Sequence, residues 1–377
     1  MSLPVSQLKT GVTDMKKIVI LFIGLFLLSG CAAPISEDEE TSTKSGRGTL
    51  TTTGESAINQ SIETVAENLA VPWSIQRDDD VFYLSERGGT VAKITDGDVE
   101  RQSMSLEKDL SSVSEAGLLG FVLMPDFSDS QTAIAYYTYE DNNDILNRIV
   151  ELNLINDDWQ EKRVLLDEIP SGTHHHGGRL AIGPDDMLYA TTGDASEPEI
   201  AQDRNSLGGK ILRMNLDGTI PKDNPIEDSY VYSYGHRNAQ GLAWNEAGKM
   251  YSSEHGASRN DEINVIEAGK NYGWPTIEGN EMQTGMEAPL VTSGSNTTWA
   301  PSGMDYRDET LYVAALRGNA VLEFDLESNT MSELLTEYGR IRDIYIEDEM
   351  MYFVTNNRDG RGSPQQNDDK LYRLQLD

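Results

Sequence analysis

The chain has 377 residues, 38% of them hydrophobic, which is enough for a substantial packed core and too much for a disordered or fibrous protein. Its 63 acidic residues outnumber 30 basic ones, giving a formal charge of −33 at pH 7 that repels nucleic acid and anionic lipid and argues against any polyanion-binding role. Solubility, high external salt and cation retention would each account for such a surplus.

In chain order, the first predicted element is an export signal. Residues 1–14 precede a better start and are expected to be a non-native upstream extension. From Met15, the stretch MKKIVILFIGLFLLSGC carries Lys16 and Lys17, an apolar run over 18–28 and a small-residue exit, the layout of a signal peptide over 15–30. An uncleaved membrane anchor would need a longer apolar run. The ending Leu28-Ser29-Gly30-Cys31 resembles the bacterial lipobox, so Cys31 is the expected lipidation site. The implied protein is an exported bacterial lipoprotein on the outer face of the cell membrane, or on the periplasmic side in a Gram-negative host, held to the membrane through its lipid only. Cys31 is also the sole cysteine, so the exported domain has no internal disulfide. Residues 31–57, rich in Ser, Thr, Glu and Gly, read as a flexible tether, with the folded domain over 58–377.

That domain offers short β-type runs punctuated by Asp-Gly, Asn and Pro, with little helical periodicity. An acidic turn followed by an aliphatic-Tyr strand recurs at VFYLSE (Val81), MLYATTGD (Met187), KMYSSEHG (Lys249), TLYVAALRG (Thr310) and MMYFVTNN (Met350). Spacings of this size fit propeller blades, and a domain of this length holds six. The predicted fold is all-β, a six-bladed β-propeller of four-stranded antiparallel sheets. A pair of β-sandwiches is the alternative, but no interdomain linker is visible after residue 58.

Chemistry-bearing residues cluster in the loops around these strands, where a propeller builds its channel-mouth site. The densest cluster is His174-His175-His176-Gly177-Gly178-Arg179; three adjacent histidines seldom point at one ion, which favours a single working histidine over a transition-metal site. Two further clusters are YGHRNAQGLAWN from Tyr234 and SSEHGASRNDEINVIEAGKNYGWP from Ser252.

These segments, with NLAVPWSI (Asn68), EAGLLGFVLMPDF (Glu115), NSLGGKILRMNLDGTIPKDNP (Asn205) and GRIRDI (Gly339), resemble the glucose/sorbosone dehydrogenases that depend on pyrroloquinoline quinone (PQQ), also called aldose sugar dehydrogenases. The resemblance runs from about Glu67 to Leu374 and implies a propeller that oxidises the C1 hydroxyl of an aldose to the lactone, with PQQ and Ca²⁺ as cofactors and an external quinone or other electron acceptor. It implies that His175 is the general base and that Asp194 holds its ring. Arg237 and Asn238 would lie at the reactive quinone oxygen, with Arg340 and Arg342 on the cofactor carboxylates. Arg317, where many relatives have lysine, would be another cofactor contact. Glu115 falls where glucose-oxidising relatives often have glutamine near the substrate. Gly256 and Ala257 would offer backbone carbonyls to calcium, with Asp261 and Tyr272 as further metal-site residues. The residue types suit these tasks: imidazole titrates near neutral pH, guanidinium matches carboxylate geometry, and calcium takes hard oxygen ligands. The rival readings are a calcium-dependent propeller lactonase, which has no need of the arginine cluster, and a non-catalytic carbohydrate-binding propeller, which has no need of His175 and Asp194.

Overall fold

The computed structural model describes residues 51–55 and 61–376. The expected upstream extension, the signal peptide and Cys31 lie outside the described residues. Among the described residues, no helix is long and apolar enough to cross a membrane.

The described strands form five sheets. Two are plain four-stranded antiparallel meanders: Leu180–Ile182, Leu188–Thr192, Lys210–Met214 and Val231–Tyr234; then Ala239–Trp244, Met250–Glu254, Glu262–Ile266 and Val291–Thr292. A third joins Ile341–Glu347, Met350–Thr355 and Leu371–Gln375 to Glu63–Ala66, so a strand from the start of the domain completes the last sheet. A fourth runs Pro301–Arg307, Thr310–Ala315, Ala320–Asp325 and Thr330–Leu334. The eight-stranded sheet is two antiparallel four-strand runs, Pro72–Asp78 to Asp98–Ser105 and Leu118–Leu123 to Asp158–Pro170, joined where Ser103–Ser105 pairs in parallel with Asp158–Gln160. Repeated four-strand antiparallel units of this kind are consistent with a propeller.

Each aliphatic-Tyr repeat forms the second strand of its unit, and there the usual alternation gives way to burial on both faces, as in Met250–Glu254. Such strands are covered on both sides by neighbouring sheets, so they read as continuous runs rather than alternating ones. Thr132–Asp141, TAIAYYTYED, occupies the same place without the acidic-turn signal and was not legible as a repeat. First strands contact one another from unit to unit, and Ile341–Glu347 returns to lie against Pro72–Asp78, where Ile75 N–H donates to the Asp343 carboxylate at 2.8 Å.

One boundary needs correction. Thr51–Glu55, placed in the tether, pairs in parallel with Thr330–Leu334. Its threonines favour extended backbone, and the open edge of that sheet supplies the unpaired N–H and C=O groups that accept an added strand.

Because neighbouring strands are antiparallel, the entry to each first strand and the exit from each second strand lie at the same end of a unit. That end receives His175 and Arg179 before Leu180, Arg237 and Asn238 before Ala239, Arg340 before Ile341, and Asp194, Gly256 and Arg317 after second strands.

Candidate active site

The three adjacent histidines diverge. Exposed His174 places Nε2 3.0 Å from Ser114 Oγ, while buried His176 places Nδ1 2.7 Å from Ser171 Oγ. His175, with a left-handed φ of 63°, turns its ring to the site and sets Nδ1 2.7 Å from Asp194 Oδ1. The two loops approach so closely that a Cβ at Gly193 would fall 1.7 Å from the His175 carbonyl oxygen; only glycine fits there. Asp194 is fully buried, and its carboxylate also accepts from Ser196 N–H at 2.9 Å and from the Trp274 indole N–H at 2.8 Å.

Arg237 fixes the imidazole tautomer. Its Nη2 lies 2.9 Å from His175 Nε2, and a guanidinium can only donate, so Nε2 is the acceptor and Nδ1 carries the proton that Asp194 receives. Nη1 of the same arginine donates to the backbone oxygens of Gly256 at 2.8 Å and His255 at 3.2 Å. Asn238 is buried beside it and accepts the Gly177 N–H at 3.0 Å. Thus His175, Asp194, Arg237 and Asn238 are brought together as the sequence predicts.

Alongside lies a cavity of about 400 Å³ lined by Trp73, Arg87, Arg317, Arg340, Arg342 and Arg361, with Glu115 the single carboxylate in its wall among the described residues. In a chain of charge −33 this is a concentrated positive field. Arg340 pairs with Asp359 at 2.8 Å and donates to the Leu316 carbonyl at 3.1 Å. Arg342 differs: it is buried, its Nη1 donates only to Gln240 Oε1 at 2.9 Å and Ser302 Oγ at 3.2 Å, and no carboxylate lies within ion-pair distance of it among the described residues. Burial, with repulsion from Arg340 beside it, pushes its guanidinium pKa down to about 9. The Nε atoms of Arg237, Arg340 and Arg342, and Nε2 of His176 and His255, are buried without a hydrogen-bond partner. Both of those histidines are pushed down to about 4, chiefly by burial, and are neutral at pH 7. Arg317 is exposed at the rim.

Glu115 lines this cavity already paired. It accepts from Arg361 Nη1 at 2.6 Å and, weakly, from His175 N–H at 3.4 Å. Burial raises its pKa, the Arg361 pairing outweighs that, and the carboxyl settles at about 2.

The expected metal residues divide. Gly256 and Ala257 present backbone oxygens, the former held by Arg237 and the latter accepting from Ser258 Oγ at 2.7 Å. Asp261 and Tyr272 engage backbone groups of the protein itself. The Asp261 carboxylate accepts backbone N–H groups from Gly256 at 2.9 Å, Trp299 at 2.5 Å and Ala300 at 2.9 Å. The Tyr272 hydroxyl donates to the Val265 carbonyl at 2.6 Å and accepts from Glu267 N–H, while its ring stacks on His236. Both side chains support the loop that carries the carbonyls. Among the described residues no group of three or more His, Cys, Asp or Glu is arranged to hold a metal.

Arg87, His255, Arg361 and Asp359 were missed, although a signal existed. Each follows a second strand bearing the aliphatic-Tyr repeat, as Asp194 and Arg317 do. Trp73, Gln240 and Trp274 had no such marker.

Known proteins resemble the whole of this domain. The family model described as Glucose / Sorbosone dehydrogenase matches residues 69–373. Quinoprotein glucose dehydrogenase B of Acinetobacter calcoaceticus is 34% identical over 264 residues, 58% of this chain and only 52% of that protein, so the match spans about half of that relative. Aldose sugar dehydrogenase of Escherichia coli K12 is 29% identical over 336 residues, 79% of this chain and 91% of the other. A solved structure, the PQQ-bound form of aldose sugar dehydrogenase from Streptomyces coelicolor, superposes with a TM-score of 0.78 at 35% identity, covering 84% of this chain and 98% of that one.

Proposed function

Because the chain belongs to the glucose/sorbosone dehydrogenase family, we propose that it is a six-bladed quinoprotein that oxidises the C1 hydroxyl of aldose sugars to lactones. The observation that carries this reading is Arg342, a buried guanidinium that has no carboxylate partner among the described residues, in a cavity lined by four further arginines. A buried cation of this kind calls for an anion.

PQQ, with three carboxylates and a planar ring system, fits the donor set: Arg342, Arg340 and the rimming Arg317 would meet its carboxylates, and Arg237 with Asn238 the quinone end. When bound, PQQ supplies the ortho-quinone that takes the C1 hydrogen as hydride. Calcium suits the hard backbone oxygens of Gly256 and Ala257, where the Arg237 guanidinium already supplies positive charge.

The chain's own contribution is proton chemistry and orientation. His175 Nε2 is the lone pair available to take the anomeric hydroxyl proton, and Asp194 both fixes the ring and stabilises the imidazolium that results. In the present geometry Arg237 holds that lone pair, so the sugar hydroxyl must take the place of Nη2, leaving Arg237 on the Gly256 and His255 oxygens and on the charge that develops nearby. Glu115, locked by Arg361, would present an ionised acceptor to sugar hydroxyls. Electrons then pass to an external acceptor. The lipobox-like Cys31 supports an exported lipoprotein attached to the membrane through its lipid only. The arginine cluster argues against a lactonase, and the His175–Asp194 pair against a purely binding propeller.

The test is an absorbance titration of purified protein with PQQ and Ca²⁺, followed by an aldose. A bound-cofactor spectrum that bleaches to the reduced form on sugar addition supports the reading; an unchanged spectrum after sugar, with PQQ bound, sinks it.

A further inference from the structure

Four side chains from four separate loops close a circuit. The Trp274 indole N–H donates to Asp194 Oδ2 at 2.8 Å, and His175 Nδ1–H donates to Asp194 Oδ1 at 2.7 Å. His175 Nε2 meets Arg237 Nη2 at 2.9 Å, and the Arg237 guanidinium carbon lies 5.3 Å over the Trp274 ring. We propose that Trp274 is a positioning residue for catalysis, holding the carboxylate that orients the base with its N–H and the guanidinium opposite that base with its ring face. The inference rests on the reading of His175 as the general base.

The two oxygens of Asp194 have different partners, and this is what fixes the plane of the carboxylate. Oδ1 serves His175 and Ser196, while Trp274 donates to Oδ2. With that donor removed, Oδ2 is a charged oxygen in a fully buried residue without its partner, and rotation of the carboxylate towards other donors spoils the bond to Nδ1. Trp274 can resist this because its own backbone is anchored on the neighbouring unit: its N–H donates to the Gly235 carbonyl at 2.9 Å, and its carbonyl accepts from Gln202 Nε2 at 2.6 Å. The ring face contributes separately, since a guanidinium over indole is attracted by the ring quadrupole and keeps its direction without spending a hydrogen-bond donor.

Trp274→Phe separates the two tasks, keeping an aromatic face and deleting the donor; Trp274→Leu removes both. In cofactor-loaded protein, Trp274→Phe should lower kcat about 10- to 100-fold with KM for the sugar and the affinity for PQQ nearly unchanged. Trp274→Leu should add a loss of PQQ affinity. In protein without cofactor, ¹⁵N resonances of the His175 ring should show the Nδ1–H tautomer in wild type and a mixture in Trp274→Phe. If Trp274 acts through Asp194, its substitution in an Asp194→Asn background should cost little more. Full additivity in that cycle, or wild-type kcat and wild-type His175 resonances in Trp274→Phe, would overturn the proposal. Should Trp274→Phe fail to fold, the coupling is read from the other side: the Trp274 indole N–H resonance must move in Asp194→Asn, and an unmoved resonance is equally fatal. His175→Ala measured in parallel separates the two failures, because near-normal turnover there removes the base itself.

Discussion

Arg342→Met should stabilise the cofactor-free protein while weakening PQQ binding, two effects of opposite sign from one substitution. Methionine keeps an unbranched stem of similar length and deletes the guanidinium. Holding that cation in its buried site lowers its pKa from 12.5 to about 9, a penalty on the order of 5 kcal/mol. Removing it recovers part of this, because Gln240 Oε1 and Ser302 Oγ, both neutral, each lose a donor at a cost of about 1–2 kcal/mol apiece. The expected net gain is about 1–3 kcal/mol, read by urea denaturation of cofactor-free protein, in line with replacement of other buried charges by apolar residues. PQQ affinity should fall about 10- to 150-fold, the equivalent of one charge-assisted contact of about 1.5–3 kcal/mol, read by titration at fixed calcium. A destabilised cofactor-free protein with unchanged PQQ affinity would refute the argument and make Arg342 a structural residue.

His175→Ala should leave PQQ binding largely intact and cut turnover by about 10² or more, measured by sugar-dependent dye reduction in saturating PQQ. The Glu115–Arg361 pair should matter to acid stability: its folded pKa is depressed to about 2, so its contribution is present above the ordinary carboxylate range and is lost as pH falls from about 5 towards 2. With Arg361 46% exposed, solvent screening limits the contribution to about 1–2 kcal/mol, and thermal denaturation of wild type and Glu115→Gln should converge over that window; a constant gap means the pair is not its source. A chain beginning at Gly48 should be better behaved than one beginning at Ser56, because the shorter one uncovers the edge strand Thr330–Leu334. Equal solubility and equal stability of the two would show that the added strand contributes nothing.

The repeat that marks the fold was legible because second strands are buried on both faces and so concentrate aliphatic residues and tyrosine around one acidic turn, as in VFYLSE and MLYATTGD. Thr132–Asp141 escaped because Asp126 and Asp129 before it belong to the one-turn helix Phe127–Ser130 and its cap, not to a tight turn directly preceding the strand. At the site, His175, Asp194, Arg237, Arg340 and Arg342 were found through their motifs, and all of them lie at one end of the strands. The partners of Asp261 and Tyr272 were not legible because sequence gives a side chain's chemistry without its surroundings: three backbone N–H groups engage one, and a carbonyl and an N–H the other. The place of Arg361 after a repeat strand was a signal for the site, but its pairing with Glu115, 246 positions away, was not legible in the sequence.

The pairing of Glu63–Ala66 with Leu371–Gln375 carries a consequence for synthesis. Arg373 and Glu63, 310 positions apart, are cross-strand partners, so the sheet that contains Arg342 cannot be completed until nearly the whole domain has been translated. Until then Met350–Thr355 has an unpaired flank, and Ile341–Glu347, which shares its sheet, must also lie against Pro72–Asp78 from the other end of the chain. Contacts of such sequence separation make folding slow and leave apolar strand edges exposed meanwhile. A ribosome stalled a few residues short of Leu371 would therefore hold a chain with most of its strands made and its cofactor cavity still lacking a finished wall.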